Sequence, residues 1–175
     1  MKCLIQSASA FLLALALFSG SRTAIADDGT ERPGVGMATA ANRLASLVSD
    51  DLKQKMMYGY GDPERLNWHF IPRDRNGIVL WDLEGDSRKA ADELVKSGLS
   101  AAGYAKTLQV RSLEEVLYLF EEGEEEYRRN RRNPHKYHIT IFGEPGATGK
   151  WGWRFEGHHL SLNFMIQDGV IVSST

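Results

Sequence analysis

The sequence predicts an α+β protein in which helices pack against one face of an antiparallel sheet. Between residues 40 and 120, apolar residues recur at helical spacing. From residue 136 onward, apolar and polar residues alternate and are separated by Gly-rich turns, which is typical of an antiparallel meander. Because the helical and strand patterns are segregated along the chain, we expect separate layers of helices and sheet.

The first 26 residues have the pattern of a secretory signal peptide. Lys2 precedes an apolar stretch from Ala8 to Phe18, and Ala24-Ile25-Ala26 is a small-x-small cleavage sequence. We therefore expect an exported protein, periplasmic or extracellular, with a flexible Gly- and Pro-containing leader over residues 27–38. Residues 39–175 are expected to form one α+β domain.

Composition excludes several classes of site and partner. The one cysteine, Cys3, lies in the predicted signal peptide, so the mature chain would have no disulfide or thiol nucleophile. Of the 21 Lys and Arg residues two lie in the signal, which leaves 19 against 23 acidic residues and a net charge of −4. This charge does not favour nucleic acid as a partner. No segment of the mature chain is apolar over the length needed to span a membrane.

The helical part begins with a predicted lead helix over residues 40–57. Three short helices should follow, with Ser87 and Ser100 as N-caps of the first two and Gly98 ending the first. The third is predicted to begin at Ser112, because Ser112 to Glu115 has the spacing of a capping box. The acidic and basic runs at residues 121–132 are interpreted as a charged surface linker.

Five short strands are predicted. The first two are residues 66–72 and 77–83, and the meander is formed by residues 136–142, 151–164 and 170–174. Asp168-Gly169 indicates a type I′ turn before the last strand. Since the chain ends at Thr175 in strand composition, we expect an incomplete sheet whose edge pairs with a missing segment or a second chain.

The stretch WGWRFEGHHLSLNF, residues 151–164, is the most informative part of the sequence. Its apolar set and its polar set exchange parity after Gly157, which a β-bulge at Gly157-His158 would explain. A tight turn at Gly157 is the alternative, and it would place the same groups across a hairpin. With either geometry one face is apolar, and the other carries Arg154, Glu156, His159, Ser161 and Asn163.

Several long phrases of the sequence resemble a bacterial family of unknown function. They are DPERLNWHFIPRDRNGIVLWDL, KSGLSAAGYAKTLQVRSLEEVL, HKYHITIFGEPGATGKWGWRFEGHHLSLNF and DGVIVSST. The chain is similar to the family known as domain of unknown function 3500 from about Ala40 to Thr175. The resemblance implies an often-exported protein whose chain is usually about twice this long, so that this chain corresponds to the N-terminal half. It implies no catalytic residues.

The leading hypothesis is a metal-dependent hydrolase on the central sheet. His138, His158 and His159 are ligand types that zinc accepts, and copper or iron would also suit imidazole. Pairing of the strands around the loop at residues 143–149 would place His138 roughly level with Phe155 and Glu156. The catalytic groups would be Glu156, Ser161 and Arg154, although no HExxH spacing is present.

Two alternatives remain open. A metal-free hydrolase would use Ser161 with a histidine and Glu156, without a GxSxG elbow. A non-enzymatic binding or assembly module would instead have structural histidines and an Arg154–Glu156 ion pair. Its ligand would be a small molecule, a peptide or a glycan, and Trp68, Trp151 and Trp153 would belong to the core.

Overall fold

The computed structural model of the protein describes residues 32–175, and the predicted signal peptide lies outside these residues. The helices are α1 (Pro33–Leu47), α2 (Asp50–Met56), α3 (Gly85–Ser97), α4 (Ala101–Phe120) and α5 (Glu125–Arg131). The strands are β1 (Met57–Tyr58), β2 (Ile78–Val79), β3 (His138–Phe142), β4 (Lys150–Gly157), β5 (Leu160–Gln167) and β6 (Val170–Ser174). The fold is α+β, as predicted.

The strands form a mixed sheet in the order β1-β3-β4-β5-β6, with β2 also paired to β3. The predicted antiparallel meander is confirmed, since β3 to β6 pair consecutively and antiparallel. The two short strands share the outer edge of β3, and β1 runs parallel to it. Asp168 and Gly169 both have positive φ, of 51° and 76°, as the predicted type I′ turn requires.

The hydrophobic core lies between the sheet and the helices. The apolar face predicted for residues 151–164 supplies the sheet side of this core, and Trp151, Trp153 and Phe155 are fully buried there. The helix side comes from α1 and α3, for example from Leu44 and Leu94. The end of α3 lies close to the sheet at Gly98, where a Cβ atom would be 2.8 Å from the ring of Phe164. The opposite face of the sheet is therefore left for polar groups.

The parity exchange at Gly157 comes from a hairpin, so the β-bulge interpretation is wrong and the alternative turn is correct. Residues 158 and 159 form the turn, and Gly157 pairs with Leu160. His159 has φ of 54°, which closes the turn and restores the apolar face on β5. A Cβ atom at Gly157 would overlap the ring of Tyr137, so glycine is required there by packing.

Several helix boundaries differ from the prediction. Ser87, predicted as an N-cap, lies inside α3, and part of the predicted linker at residues 121–132 forms α5. Residues 33–38, predicted as a flexible leader, form the start of α1, where a proline in the first turn is favourable and Met37 and Ala38 are buried. The lead helix is interrupted before Asp50, and Ser49 caps α2. No helix begins at Ser112, whose hydroxyl donates to Gln109 O at 2.7 Å within the continuous helix α4.

The predicted strand at residues 66–72 is also wrong. A 3₁₀ helix spans Pro63–Leu66, and the chain is then irregular up to β2. Backbone carbonyls of this irregular segment accept hydrogen bonds from the buried arginines Arg154 and Arg75 instead of from a neighbouring strand. The strand predicted at residues 77–83 is confirmed only over β2, because a second 3₁₀ helix, Leu80–Asp82, follows. None of the helices between residues 32 and 175 is long and apolar enough to cross a membrane.

Candidate functional site: an open cleft supported by a buried charge network

The polar row of β4 lies on the sheet face opposite the helices, and it is buried. Arg154 is 0% exposed and Glu156 is 1% exposed. In the neighbouring strands, His138 and Ser161 pair with Glu156, whereas Thr140 and Asn163 pair with Arg154. The pairing of His138 with Glu156 agrees with the prediction that His138 lies roughly level with Phe155 and Glu156. The solvated sheet face expected of a simple antiparallel sheet is absent at this strand, because the irregular segment after residue 59 covers it.

Four charged side chains, two from β4 and two from the covering segment, alternate in sign between the sheet and that segment. Arg154 contacts Glu64 through Nη2 and Oε1 at 2.6 Å, and contacts Glu156 through Nε and Oε1 at 2.9 Å. Arg75 Nε lies 3.4 Å from the other oxygen of Glu156. The two contacts of Glu156 are ion pairs that lack hydrogen-bond geometry. Two guanidiniums and two carboxylates thus neutralise one another, as burial of charge requires.

The two carboxylates respond differently to this environment. Burial raises the pKa of Glu156, and the charges of Arg154 and Arg75 offset this only in part. Burial also opposes ionisation of Glu64, but hydrogen bonds from Asn67, Asn76 and Arg154 together hold its pKa below the ordinary value. Glu64 is therefore the better stabilised anion of the pair.

The network also holds the covering segment in place. Arg154 Nη1 donates to the carbonyls of Glu64 at 2.8 Å and Asn67 at 3.1 Å. Arg75 Nη2 donates to the carbonyl of Ile71 at 2.8 Å and to that of Gly157, in the β4–β5 turn, at 3.0 Å. Each guanidinium thereby replaces the backbone partners that a strand would have supplied. The polar row positions residues 64–75 on the sheet.

An open cleft of ≈ 670 Å³ lies between this segment and the outer part of the sheet. One wall carries exposed apolar side chains, with Leu66 76%, Trp68 56% and Phe70 60% exposed. The floor carries polar groups from β5 and β6, among them Ser161, Asn163, Ser173 and Thr175. The volume lies within the range of small-molecule sites, which combine apolar lining with a few polar groups.

The structure does not bring the three histidines predicted as metal ligands to one point, although the ring centroids of His158 and His159 lie 4.3 Å apart. His138 is buried, and neither of its ring nitrogens has a hydrogen-bond partner among the described residues. His158 Nδ1 contacts Glu114 Oε1 at 2.5 Å and Arg132 Nη1 at 3.2 Å. His159 is exposed and stacks on Phe70, with ring centroids 6.0 Å apart. In residues 32–175 no group of three or more His, Asp or Glu side chains is arranged to hold a metal ion.

Burial also governs the protonation of the histidines. It lowers the pKa of His138 to about 4, an effect that the nearby charge of Arg75 reinforces. Burial lowers the pKa of His158 as well, against the opposing effect of Glu114. His138 is thus a neutral, enclosed imidazole, and His158 belongs to a separate ion-pair cluster with Glu114 and Arg132.

The predicted serine does not form a triad in this arrangement. Ser161 Oγ accepts a hydrogen bond from Asn163 Nδ2 at 3.1 Å, and no imidazole in the described part of the chain bonds to it. Glu156 lies opposite Ser161 in the strand register, but its carboxylate is held by arginines. Of the predicted site residues, the structure brings together Arg154 with Glu156, and places His159 and Ser161 at the cleft.

Several important residues were missed in the sequence. Glu64 and Arg75 complete the charge network, and they lie on either side of the strand predicted at residues 66–72. Trp68 was assigned to the core with Trp151 and Trp153, but only the latter two are buried. The sequence signal at this segment is the pair of prolines at its ends, Pro63 and Pro72, because proline in a sheet is confined to edge strands, strand ends and bulges.

The fold and the site together define the class of protein: an α+β domain with an aromatic-walled cleft above a mixed sheet. The chain belongs to the family described as Protein of unknown function (DUF3500), whose model matches residues 30–175. This confirms the resemblance seen in the sequence. No curated protein and no solved structure matches the chain.

Proposed function

We propose that this protein is a binding module that takes an amphipathic small molecule into the cleft between residues 65–70 and strand β5. The observation that carries the proposal is the group of Leu66, Trp68 and Phe70, three large apolar side chains exposed along one wall. A contiguous exposed apolar surface in a concave site is characteristic of ligand binding. The polar floor would orient the ligand.

The buried network supports this proposal because it makes the aromatic wall rigid. Arg154 and Arg75 fix the backbone on both sides of Trp68 through the carbonyls of Glu64, Asn67 and Ile71. A wall that is already positioned before binding loses little conformational entropy when the ligand arrives. In this interpretation the polar row of β4 supports the site without touching the ligand.

The metal-dependent hydrolase stays a prediction, and the arrangement of the residues does not favour it. Two of the three histidines are held in other contacts or enclosed, and Glu156 is neutralised by two arginines. Elemental analysis of the purified protein after incubation with zinc checks this prediction. Stoichiometric zinc that is lost on replacing His158 and His159 would restore the hydrolase hypothesis.

Titration with the neutral fluorophore N-phenyl-1-naphthylamine tests the binding proposal. We expect saturable fluorescence enhancement at one site per chain. Phe70→Ala should weaken binding about tenfold or more, because burial of a phenyl side chain contributes roughly 1.5–3 kcal/mol. Phe120→Ala is the matched control, since Phe120 is 81% exposed on α4, outside the cleft. Absence of saturable binding, or equal loss in both variants, would refute the proposal.

If the export predicted from residues 1–26 occurs, the cleft would face the periplasm or the extracellular space. Fractionation of cells that produce the full chain, with and without residues 1–26, checks this part of the proposal. We expect the full chain outside the cytoplasm and the shortened chain inside it.

A further inference from the structure

One cation beside the cleft has no acidic partner. The buried arginines Arg75, Arg111, Arg132 and Arg154 each have a carboxylate within 4.0 Å. Arg65, which lines the cleft, has no carboxylate within that distance in residues 32–175, although its Nε is buried and lacks a hydrogen-bond partner. A partly buried guanidinium without a counter-charge is unfavourable, and an anionic ligand would relieve that cost.

The position of Arg65 is determined by its neighbours. Its guanidinium carbon lies 4.8 Å from the ring centroid of Tyr60, and Nη1 lies 3.7 Å from the sulfur of Met165 on β5. The adjacent carboxylate of Glu64 does not neutralise it, because Arg154, Asn67 and Asn76 take the oxygens of Glu64. Neither Tyr60 nor Met165 carries a negative charge, so the charge of the Arg65 guanidinium stays uncompensated beside the cleft.

The rest of the cleft shows what such an anion would be attached to. The described lining contains Arg65 and no Asp or Glu, and its largest exposed surfaces are Leu66, Trp68 and Phe70. A highly charged ligand would leave several charges against apolar side chains, which is costly. A single anionic group joined to an apolar body satisfies both features of the lining.

We infer that the cleft binds an amphipathic carboxylate, whose carboxylate pairs with Arg65 and whose apolar or aromatic body lies against Trp68 and Phe70. This inference rests on the proposed binding function and specifies its ligand class. The planar fork of the guanidinium suits a carboxylate, to which it can donate two parallel hydrogen bonds.

The test compares two probes that differ only in the charged group, 1-naphthaleneacetate and its neutral amide, 1-naphthaleneacetamide. Calorimetric titration uses residues 27–175, the chain expected after removal of the signal peptide. The carboxylate probe should bind at least about tenfold more tightly than the amide probe, as expected for a charge-assisted pair. Arg65→Gln should abolish this preference and leave the affinity for the amide within about twofold. Arg43→Gln is the control, because it removes an equal charge from the exposed surface of α1.

The outcomes separate this inference from the proposed function. Equal affinities for the two probes, or a preference that persists in Arg65→Gln, would overturn the inference while the neutral fluorophore still binds. Failure of all three probes would overturn both proposals. A salt titration of the wild-type protein gives a test that does not depend on folding of the variant. Raising NaCl from 50 to 500 mM should weaken binding of the carboxylate probe and leave binding of the amide probe unchanged. An unchanged ratio of the two affinities would also overturn the inference.

Discussion

Glu156→Gln removes the charge at the centre of the buried network and keeps the shape of the side chain. Glu156 lies 2.9 Å from Arg154 Nε and 3.4 Å from Arg75 Nε. With an effective dielectric constant of about 20, each attraction amounts to roughly 5 kcal/mol before desolvation is counted. Desolvation of the carboxylate cancels much of this, as its raised pKa indicates. Loss of one partner from a buried ion pair typically costs about 3–5 kcal/mol.

We therefore expect Glu156→Gln to lower the free energy of unfolding by about 3 kcal/mol, the lower end of that range. Both guanidiniums would remain buried, with side chains 0% and 4% exposed. Arg154 would keep Glu64 as its partner, whereas Arg75 would have no carboxylate within 4.0 Å among the described residues. Urea denaturation at pH 7, followed by circular dichroism, measures the change, and the melting temperature should fall by roughly 10 °C.

The control is Glu115→Gln, which removes a carboxylate paired with Arg129 at 2.9 Å on the surface. Because those side chains are 50% and 45% exposed, the cost should be below about 1 kcal/mol. A loss in Glu156→Gln no greater than that in the control would show that the network does not stabilise the fold, and would refute the reasoning.

The remaining predictions concern packing and pH. Gly157→Ala should destabilise the protein by about 1–3 kcal/mol, because the added Cβ overlaps the ring of Tyr137. Gly36 lies in α1 with open space around it, so Gly36→Ala should stabilise the protein by about 0.5–1 kcal/mol. Thermal unfolding measures both variants, and stability changes of the same sign in Gly157→Ala and Gly36→Ala would contradict the packing argument. For His138, the pKa of about 4 in the folded protein lies below the ordinary histidine value of 6.5, so its contribution to stability is complete above pH 6.5 and is lost as the pH falls toward 4. We expect His138→Leu to remove roughly 3 kcal/mol of the stability change between pH 7 and 4, measured by urea denaturation at both pH values. His159→Leu is the control, because His159 is exposed. If the dependence of stability on pH is the same in His138→Leu as in the wild type, His138 does not titrate as described.

Alternation and turn chemistry allowed the meander to be predicted closely. Strands β3 and β6, the approximate level of His138 with Glu156 and the Asp168-Gly169 turn follow from a period of two between turn residues, whereas the division of residues 151–164 into β4 and β5 was only the alternative interpretation. These features are local, or depend on partners adjacent in sequence. Helix ends were less predictable, because Ser112 has the residue type of an N-cap but lies inside a helix whose hydrogen bonds continue past it.

The site was the least predictable part, because its partners are distant in sequence. Arg154 and Glu64 are 90 residues apart, and nothing local to either residue indicates the other. The residues 151–164 pointed to the correct sheet face, but not to the segment that covers it. Trp68 looked like a core residue, since sequence alone does not show which apolar residues remain exposed.

The sequence by itself determined the α+β class, the family, the apolar face of the central hairpin and the polar row of Arg154 and Glu156. Each depends on residue type and periodicity, which the chain shows directly. Only the tertiary structure decided that this row is buried beneath residues 59–76, that the three histidines do not converge on one point, and that a cleft opens beside Trp68. These outcomes depend on which charges meet across the fold, because a buried charge is stable only where distant partners neutralise it.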